Sequence, residues 1–198
     1  MKKSIAFVLL LPMTVCTIAH ADDAAETPYY VEAAVGQGTV NYNSYNQNAT
    51  PQGIIAGNIT TFSLLGGFAV NSNLALELGY HDYGNPTLNQ QTSGINGPLN
   101  ACPSSFPCPH ITAFSLEAIG RFEIVTDLYG EISGGLQGWR AGAPAATYIG
   151  KSKGYSAVYG LGVRHDFHDQ YDGWSFTIRY EYSEFSTAET RIGLRYSF

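Results

Sequence analysis

Apolar and polar residues alternate with period two along most of the chain. The alternation predicts eight β-strands at about 28–40, 60–70, 74–84, 111–124, 128–141, 154–168, 174–184 and 187–198. In the third, Leu74, Leu76, Leu78 and Tyr80 share one face, and Ala75, Glu77, Gly79 and His81 share the other. In the fourth, Phe114, Leu116, Ala118, Gly120 and Phe122 oppose Ser115, Glu117, Ile119 and Arg121. The seventh sets Trp174, Phe176, Ile178, Tyr180 and Tyr182 against Ser175, Thr177, Arg179 and Glu181, and the eighth sets Ile192, Leu194, Tyr196 and Phe198 against Arg191, Gly193, Arg195 and Ser197. None of these four apolar faces carries a charge.

The connections alternate in length. Residues 71–73, 125–127 and 169–173 are short turns, whereas 41–58, 85–110 and 143–153 at the other end are longer and rich in Gly, Asn or Pro; the last connection, near 184–186, is short. Short turns at one end and longer loops at the other are the arrangement of an up-and-down transmembrane barrel, with the short turns and both termini periplasmic.

Composition removes the soluble alternatives. Only 13% of residues are charged, against a usual ~25%. Beyond the N-terminal segment no apolar run reaches the ~18 residues that a membrane helix needs. A lipocalin-like barrel would turn its apolar parity inward and cover its outside with charge, yet the only lysines beyond the N-terminus are Lys151 and Lys153, both placed in a loop. The predicted fold is therefore all-β: an eight-stranded antiparallel up-and-down transmembrane β-barrel, with apolar residues facing lipid.

Met1-Lys2-Lys3, the apolar stretch from Ile5 to Met13 and Ala19-His20-Ala21 form a basic segment, a short apolar core and an A-x-A cleavage site. Residues 1–21 are read as a cleaved signal peptide and 22–198 as one outer-membrane barrel domain. Cys16 falls inside the signal, and Pro12 to Val15 lack the approach of a lipoprotein site. Cys102 and Cys108 remain, close together in Cys-Pro-Ser-Ser-Phe-Pro-Cys. In an oxidising compartment such a pair reads as a disulfide across a turn. A metal site there is the weaker reading, since His110 alone stands nearby. The formal net charge of −6 excludes nucleic acid as a partner.

The inward parity collects most of the charge. Glu32, Glu77, Glu117, Glu131 and Glu181 are the acids, and Arg121, Arg164, Arg179, Arg191 and Arg195 the bases. Eight strands enclose a space that side chains fill, and buried charges must pair. The glycines at 36, 67, 79, 135, 160, 162 and 193 leave room for them. The expectation is a salt-bridged polar plug rather than an open pore. Tyr29, Tyr129, Tyr159, Trp174, Tyr180, Tyr196 and Phe198 are expected near strand ends as interfacial girdles.

Catalytic and metal chemistry are weakly supported. His81 faces inward with Ser63 as a conceivable neighbour, but a lipid-A deacylase His-x-Ser-Asn motif is absent. In His165-Asp-Phe-His168-Asp169 the two histidines fall on opposite faces. No cofactor is expected.

The segment from Leu128 to Gly142 (LYGEISGGLQGWRAG), Leu76-Glu-Leu-Gly-Tyr80, Arg179-Tyr-Glu-Tyr182 and the ending Arg191-Ile-Gly-Leu-Arg-Tyr-Ser-Phe198 resemble the OmpA transmembrane domain and its relatives such as OmpX and the opacity proteins. The resemblance spans all eight strands. It implies that Glu77 and Arg179 belong to an internal salt-bridge network, and that Phe198 with Tyr196 is the signal read by the barrel-assembly machinery. Arg164 departs from the pattern, which has an acid there. The family further implies a monomer surrounded by outer-membrane lipid and lipopolysaccharide. It implies roles in envelope structure and in adhesion or other host or matrix contact through the loops. A narrow gated channel for ions or small solutes is the alternative, and a lipid-A-modifying enzyme the third reading.

Overall fold

A computed structural model describes residues 29–41, 55–85, 87–90, 110–142, 153–167, 173–183 and 187–198. The strands are β1 (Tyr29–Asn41), β2 (Ile55–Asn71), β3 (Leu74–Gly84), β4 (Thr87–Gln90), β5 (Ile111–Val125), β6 (Leu128–Ala141), β7 (Lys153–Asp166), β8 (Trp174–Ser183) and β9 (Thr187–Ser197). Every pairing is antiparallel, and β1 pairs with both β9 and β2, so eight long strands close into a barrel. Closure satisfies the backbone of the wall without leaving an edge, which a hydrocarbon environment demands.

Alternation along each strand becomes inside and outside. On β8 exposed and buried residues alternate without exception from Trp174 to Ser183. The outer wall carries Val35, Phe62, Leu64, Leu78, Phe114, Leu116, Leu136, Leu161 and Leu194, each about half exposed or more. In water this surface would far exceed the apolar patches that monomers tolerate. Against lipid it is the contact surface. No helix among the described residues is long and apolar enough to cross a membrane.

Local chemistry sets the turns. Between β2 and β3, Asn73 N–H donates to Asn71 Oδ1 at 2.9 Å, an Asx turn. Between β5 and β6, Asp127 adopts φ +67°, a left-handed conformation that Asp tolerates better than most residues. Both turns lie at the end that holds the described chain's own extremities, where Phe198 N–H donates to Tyr29 C=O at 2.9 Å.

Three boundaries differ from the pattern-based expectation. Strand β2 starts at Ile55 rather than near residue 60, and its first residues pair with β1 from Gly38↔Ile59 to Asn41↔Ala56. This extension escapes a hydrophobic pattern because Asn58 and Thr60 are polar and exposed on its outward parity. Strand β4 lies in the stretch expected to be loop. It continues the β3 side of the hairpin past a bulge between Asp82 and Gly84, pairing Asn58↔Thr87 through Ile55↔Gln90. Lys153 is the first residue of β7, not a loop residue.

An aromatic band follows the end that holds both chain extremities. Tyr29 meets Phe68 at 5.3 Å and Phe198 at 6.3 Å, Phe198 meets Tyr196 at 6.3 Å, and Tyr196 meets Trp174 at 5.0 Å between ring centroids. Three expected girdle residues do not belong to it, one of them Tyr180, in register with Leu161 and Thr190. Tyr129 falls on the inward parity, with the Arg164 guanidinium 4.5 Å over its ring. Tyr159 sits at mid-strand, in register with Gly134 and Tyr182. The signal peptide, Cys16, Cys102, Cys108, Lys151 and His168 lie outside the described residues.

Candidate functional site: the charged lumen

Because inward positions recur every second residue, each long strand delivers its polar side chains to one axis. All ten charged residues expected inside, Glu32, Glu77, Glu117, Arg121, Glu131, Arg164, Arg179, Glu181, Arg191 and Arg195, are buried there. They divide into two groups along the axis.

The group nearer the chain extremities centres on Glu131. Arg195 Nη1 lies 3.0 Å, Arg179 Nη2 3.3 Å, Arg121 Nε 3.4 Å and Arg164 Nη1 3.9 Å from its carboxylate. Arg179 also forks onto Glu77, with Nη1 to Oε1 at 2.6 Å and Nη2 to Oε2 at 3.3 Å. Arg195 Nε donates to Glu32 Oε2 at 2.9 Å, and Thr177 Oγ1 donates to Glu32 Oε1 at 2.9 Å. Tyr30 donates its hydroxyl to Glu77 Oε2 at 2.9 Å, while its ring receives the Arg195 guanidinium at 4.2 Å and that of Arg121 at 5.3 Å. Two glycines make this packing possible. A Cβ at Gly67 would overlap the Tyr30 ring, and one at Gly193 would overlap Glu32 Oε1.

The Arg164 departure from the family pattern is accommodated locally. Its Nε lies 2.9 Å from Asp166 Oδ1 and its Nη2 donates to Asp166 Oδ2 at 3.0 Å. The acid that answers it is therefore two residues along its own strand.

The second group lies nearer the loop end. Arg191 pairs with Glu181 and stands 3.6 Å from Glu189, which accepts a hydrogen bond from Thr61 Oγ1 at 2.7 Å. Glu189 is a sixth inward acid, so the lumen is not balanced at five against five. It shares the parity of Arg191 and Arg195, and extending the alternation of β9 by one step reveals it. Glu117, also buried, has no hydrogen-bond partner at either carboxylate oxygen. Glu77 is its direct register partner on β3. Arg179 spans the two groups, reaching Glu181 at 3.5 Å.

Neutral polar contacts fill the rest. His81, fully buried, has Nδ1 3.0 Å from Ser63 Oγ and Nε2 2.9 Å from Ser115 Oγ. Arg191 Nη1 lies 2.8 Å from the same Nδ1. A guanidinium only donates, so Nδ1 accepts and the proton resides on Nε2. Gln137 Nε2 donates to the Tyr83 hydroxyl at 2.5 Å. Ser63 shares Nδ1 with the Arg191 guanidinium, and the Ser115 contact at Nε2 has that cation at the opposite ring nitrogen, where a Ser-His-Asp site places a carboxylate. Among the described residues no group of three or more His, Cys, Asp or Glu side chains is arranged to hold a metal. His165, exposed, has Nδ1 3.2 Å from Asp127 C=O.

The sequence profile of the outer membrane protein beta-barrel domain matches residues 8–198. The chain belongs to that family. Its members reside in the outer membrane, which accounts for an apolar wall around a charged interior. Among solved structures, Neisserial surface protein A (NspA) is similar at 15% identity and TM-score 0.52, over 86% of this chain and 97% of that one. OprG from Pseudomonas aeruginosa is similar at 10% identity and TM-score 0.51, over 87% and 97%. Likeness at this identity is a likeness of fold. No curated protein matches the chain in sequence.

Proposed function

We propose that this outer-membrane barrel is a closed, salt-bridged anchor that acts in envelope structure and presents its long loops for contact with host or matrix surfaces. One observation carries the reading: Glu131 draws guanidiniums from β5, β7, β8 and β9 to a single carboxylate, so ion pairs tie four strands across the axis. An eight-stranded interior has room for little else. Maturation by removal of residues 1–21, a Cys102–Cys108 staple that preorganises loop 85–110, assembly through the Tyr196 and Phe198 ending, periplasmic termini and a monomeric state complete the proposal.

A narrow gated pore is the second reading. The observation in its favour is that Arg179 has four carboxylates within 4.0 Å, those of Glu32, Glu77, Glu131 and Glu181. A guanidinium with alternative partners is able to switch among them. Planar-bilayer recording of the refolded chain separates the two. The closed anchor is expected to give no steady porin-like conductance, and a steady open state overturns it. Lipid-A modification, the third reading, is tested by mass spectrometry of lipid A from cells with and without the protein, where an unchanged spectrum is expected.

A further inference from the structure

Two of the basic residues that do not serve the lumen stand side by side. Of ten Lys and Arg in the chain, Lys2 and Lys3 stand near the N-terminus and five arginines are inward, which leaves Arg140, Lys151 and Lys153. Arg140 on β6 and Lys153 on β7 are direct register partners. Both are exposed, while Trp139, Ala141 and Ser156 on the opposite parity are buried, so the two cations stand on the outer wall at the loop end. Like charges directly opposite across strands repel. Neither has an ion-pair or hydrogen-bond partner among the described residues. The nearest carboxylate in the same outward row, Asp82, is separated from Arg140 by Thr112. Asp82 is already engaged, accepting from Gly84 N–H at 2.8 Å and lying 3.2 Å from His110 Nε2.

The residues toward the middle of the barrel identify the depth of the pair. Tyr155, 89% exposed, lies over Gly138 one outward position inside the pair, and Leu136 and Ile132 follow on the same face of β6. Apolar, then aromatic, then cationic is the order met on passing from hydrocarbon to headgroup. Side chains on a strand stand roughly perpendicular to the sheet. This pair therefore reaches sideways into the leaflet rather than upward into solution, and its counter-ion must be part of the leaflet.

We infer that Arg140 and Lys153 form a docking site on the outer wall for the phosphate of an anionic lipid headgroup in the leaflet at the loop end. Arg supplies a bidentate fork and Lys a compact point charge to the same phosphoryl oxygens, while Tyr155 packs against the glycolipid or acyl region below. The site depends on the barrel lying in a membrane and is independent of whether the lumen conducts.

The test uses the refolded full chain in phosphatidylcholine vesicles containing either bisphosphorylated lipid A or its dephosphorylated form. Lipid retained after detergent extraction is counted by mass spectrometry. The native chain is expected to retain the phosphorylated form about tenfold over the other, the gain from one or two charge-assisted contacts. The Arg140→Gln/Lys153→Gln variant is expected to lose the preference, and Lys153→Arg to keep it. Heat-modifiable gel mobility checks that each variant folds, and the single substitutions, each expected to lose part of the preference, serve if the double one does not. Equal retention of both lipids by the native chain, or an undiminished preference in the variant, overturns the proposal. Displacement of the lipid by excess inorganic phosphate also overturns it, because a solution-facing anion site would then explain the binding.

Discussion

The two halves of the lumen solve the same problem differently. Near the chain extremities Arg121, Arg164, Arg179 and Arg195 converge on Glu32, Glu77 and Glu131, and each of these acids meets at least two guanidiniums within 4.0 Å. Near the loop end Arg191 faces Glu181 and Glu189, with Arg179 reaching Glu181 from the other group, Glu117 has no hydrogen-bond partner, and neutral contacts among Thr61, Ser63, His81, Tyr83, Ser115 and Gln137 do the rest. The first half holds an excess of cations and the second an excess of acids. The two imbalances offset each other only in part, since six buried glutamates stand against five arginines; Arg179 joins the halves, and the cross-strand ties are concentrated where several strands share one carboxylate.

Breaking the cation-rich half should cost most. Glu131→Gln leaves Arg121, Arg179 and Arg195 with Glu32 and Glu77 as the remaining acids of that half, while Arg164 keeps Asp166, and removing one member of a buried ion pair costs about 3–5 kcal/mol. Urea unfolding in lipid vesicles is expected to show a loss of that size, and a change below ~1 kcal/mol would show that the convergence on Glu131 does not hold the strands together. Gly67→Ala attacks the same half sterically. The added methyl meets the Tyr30 ring, and overpacking of this kind costs about 1–3 kcal/mol. In the same assay, the double variant with Tyr30→Phe should recover only part of the loss, because the methyl meets the ring carbons Cζ and Cε1 as well as the hydroxyl, and the ring carbons remain.

The acid-rich half should respond in the opposite sense. Glu117→Gln removes a buried carboxylate with no donor and relieves its repulsion with Glu77, its register partner. Stability is expected to stay level or rise by up to ~1 kcal/mol, since an unpartnered buried charge is a cost and not a contribution. A loss of more than ~2 kcal/mol on unfolding would mean that Glu117 has a stabilising partner, and the contrast between the halves would fail.

Much of this was legible along the chain. The inward ten were readable because parity is a local property and a one-residue slip would drive every charge into lipid. Glu189 was missed near the start of β9, where a single alternation step had to be extended toward the loop. The early start of β2 and the existence of β4 were hidden for a different reason. Beyond the hydrocarbon both faces of a strand are polar, so backbone pairing continues where hydrophobic contrast has ended. Tyr129 was misplaced because aromatic identity near a strand end suggests a girdle, although its odd position on β6 turns it toward Arg164. The likeness to the small barrels was equally readable, and so was Ser63 beside His81, whereas its other neighbours Ser115 and Arg191 were not.

By itself, the sequence determined the architecture: eight alternating segments, short turns against long loops, an outside apolar over the middle of the strands and a charged axis. Each of these follows from periodicity and composition, which need no knowledge of neighbours. Only the tertiary structure decided who meets whom. Glu77 and Arg179 are 102 residues apart and Thr177 and Glu32 are 145 apart, and nothing local distinguishes those partners from the other acids and bases of the same parity. Barrel closure and strand stagger fix the height of every inward side chain on the axis. That geometry chose Glu131 as the point where four arginines converge and left Glu117 without one.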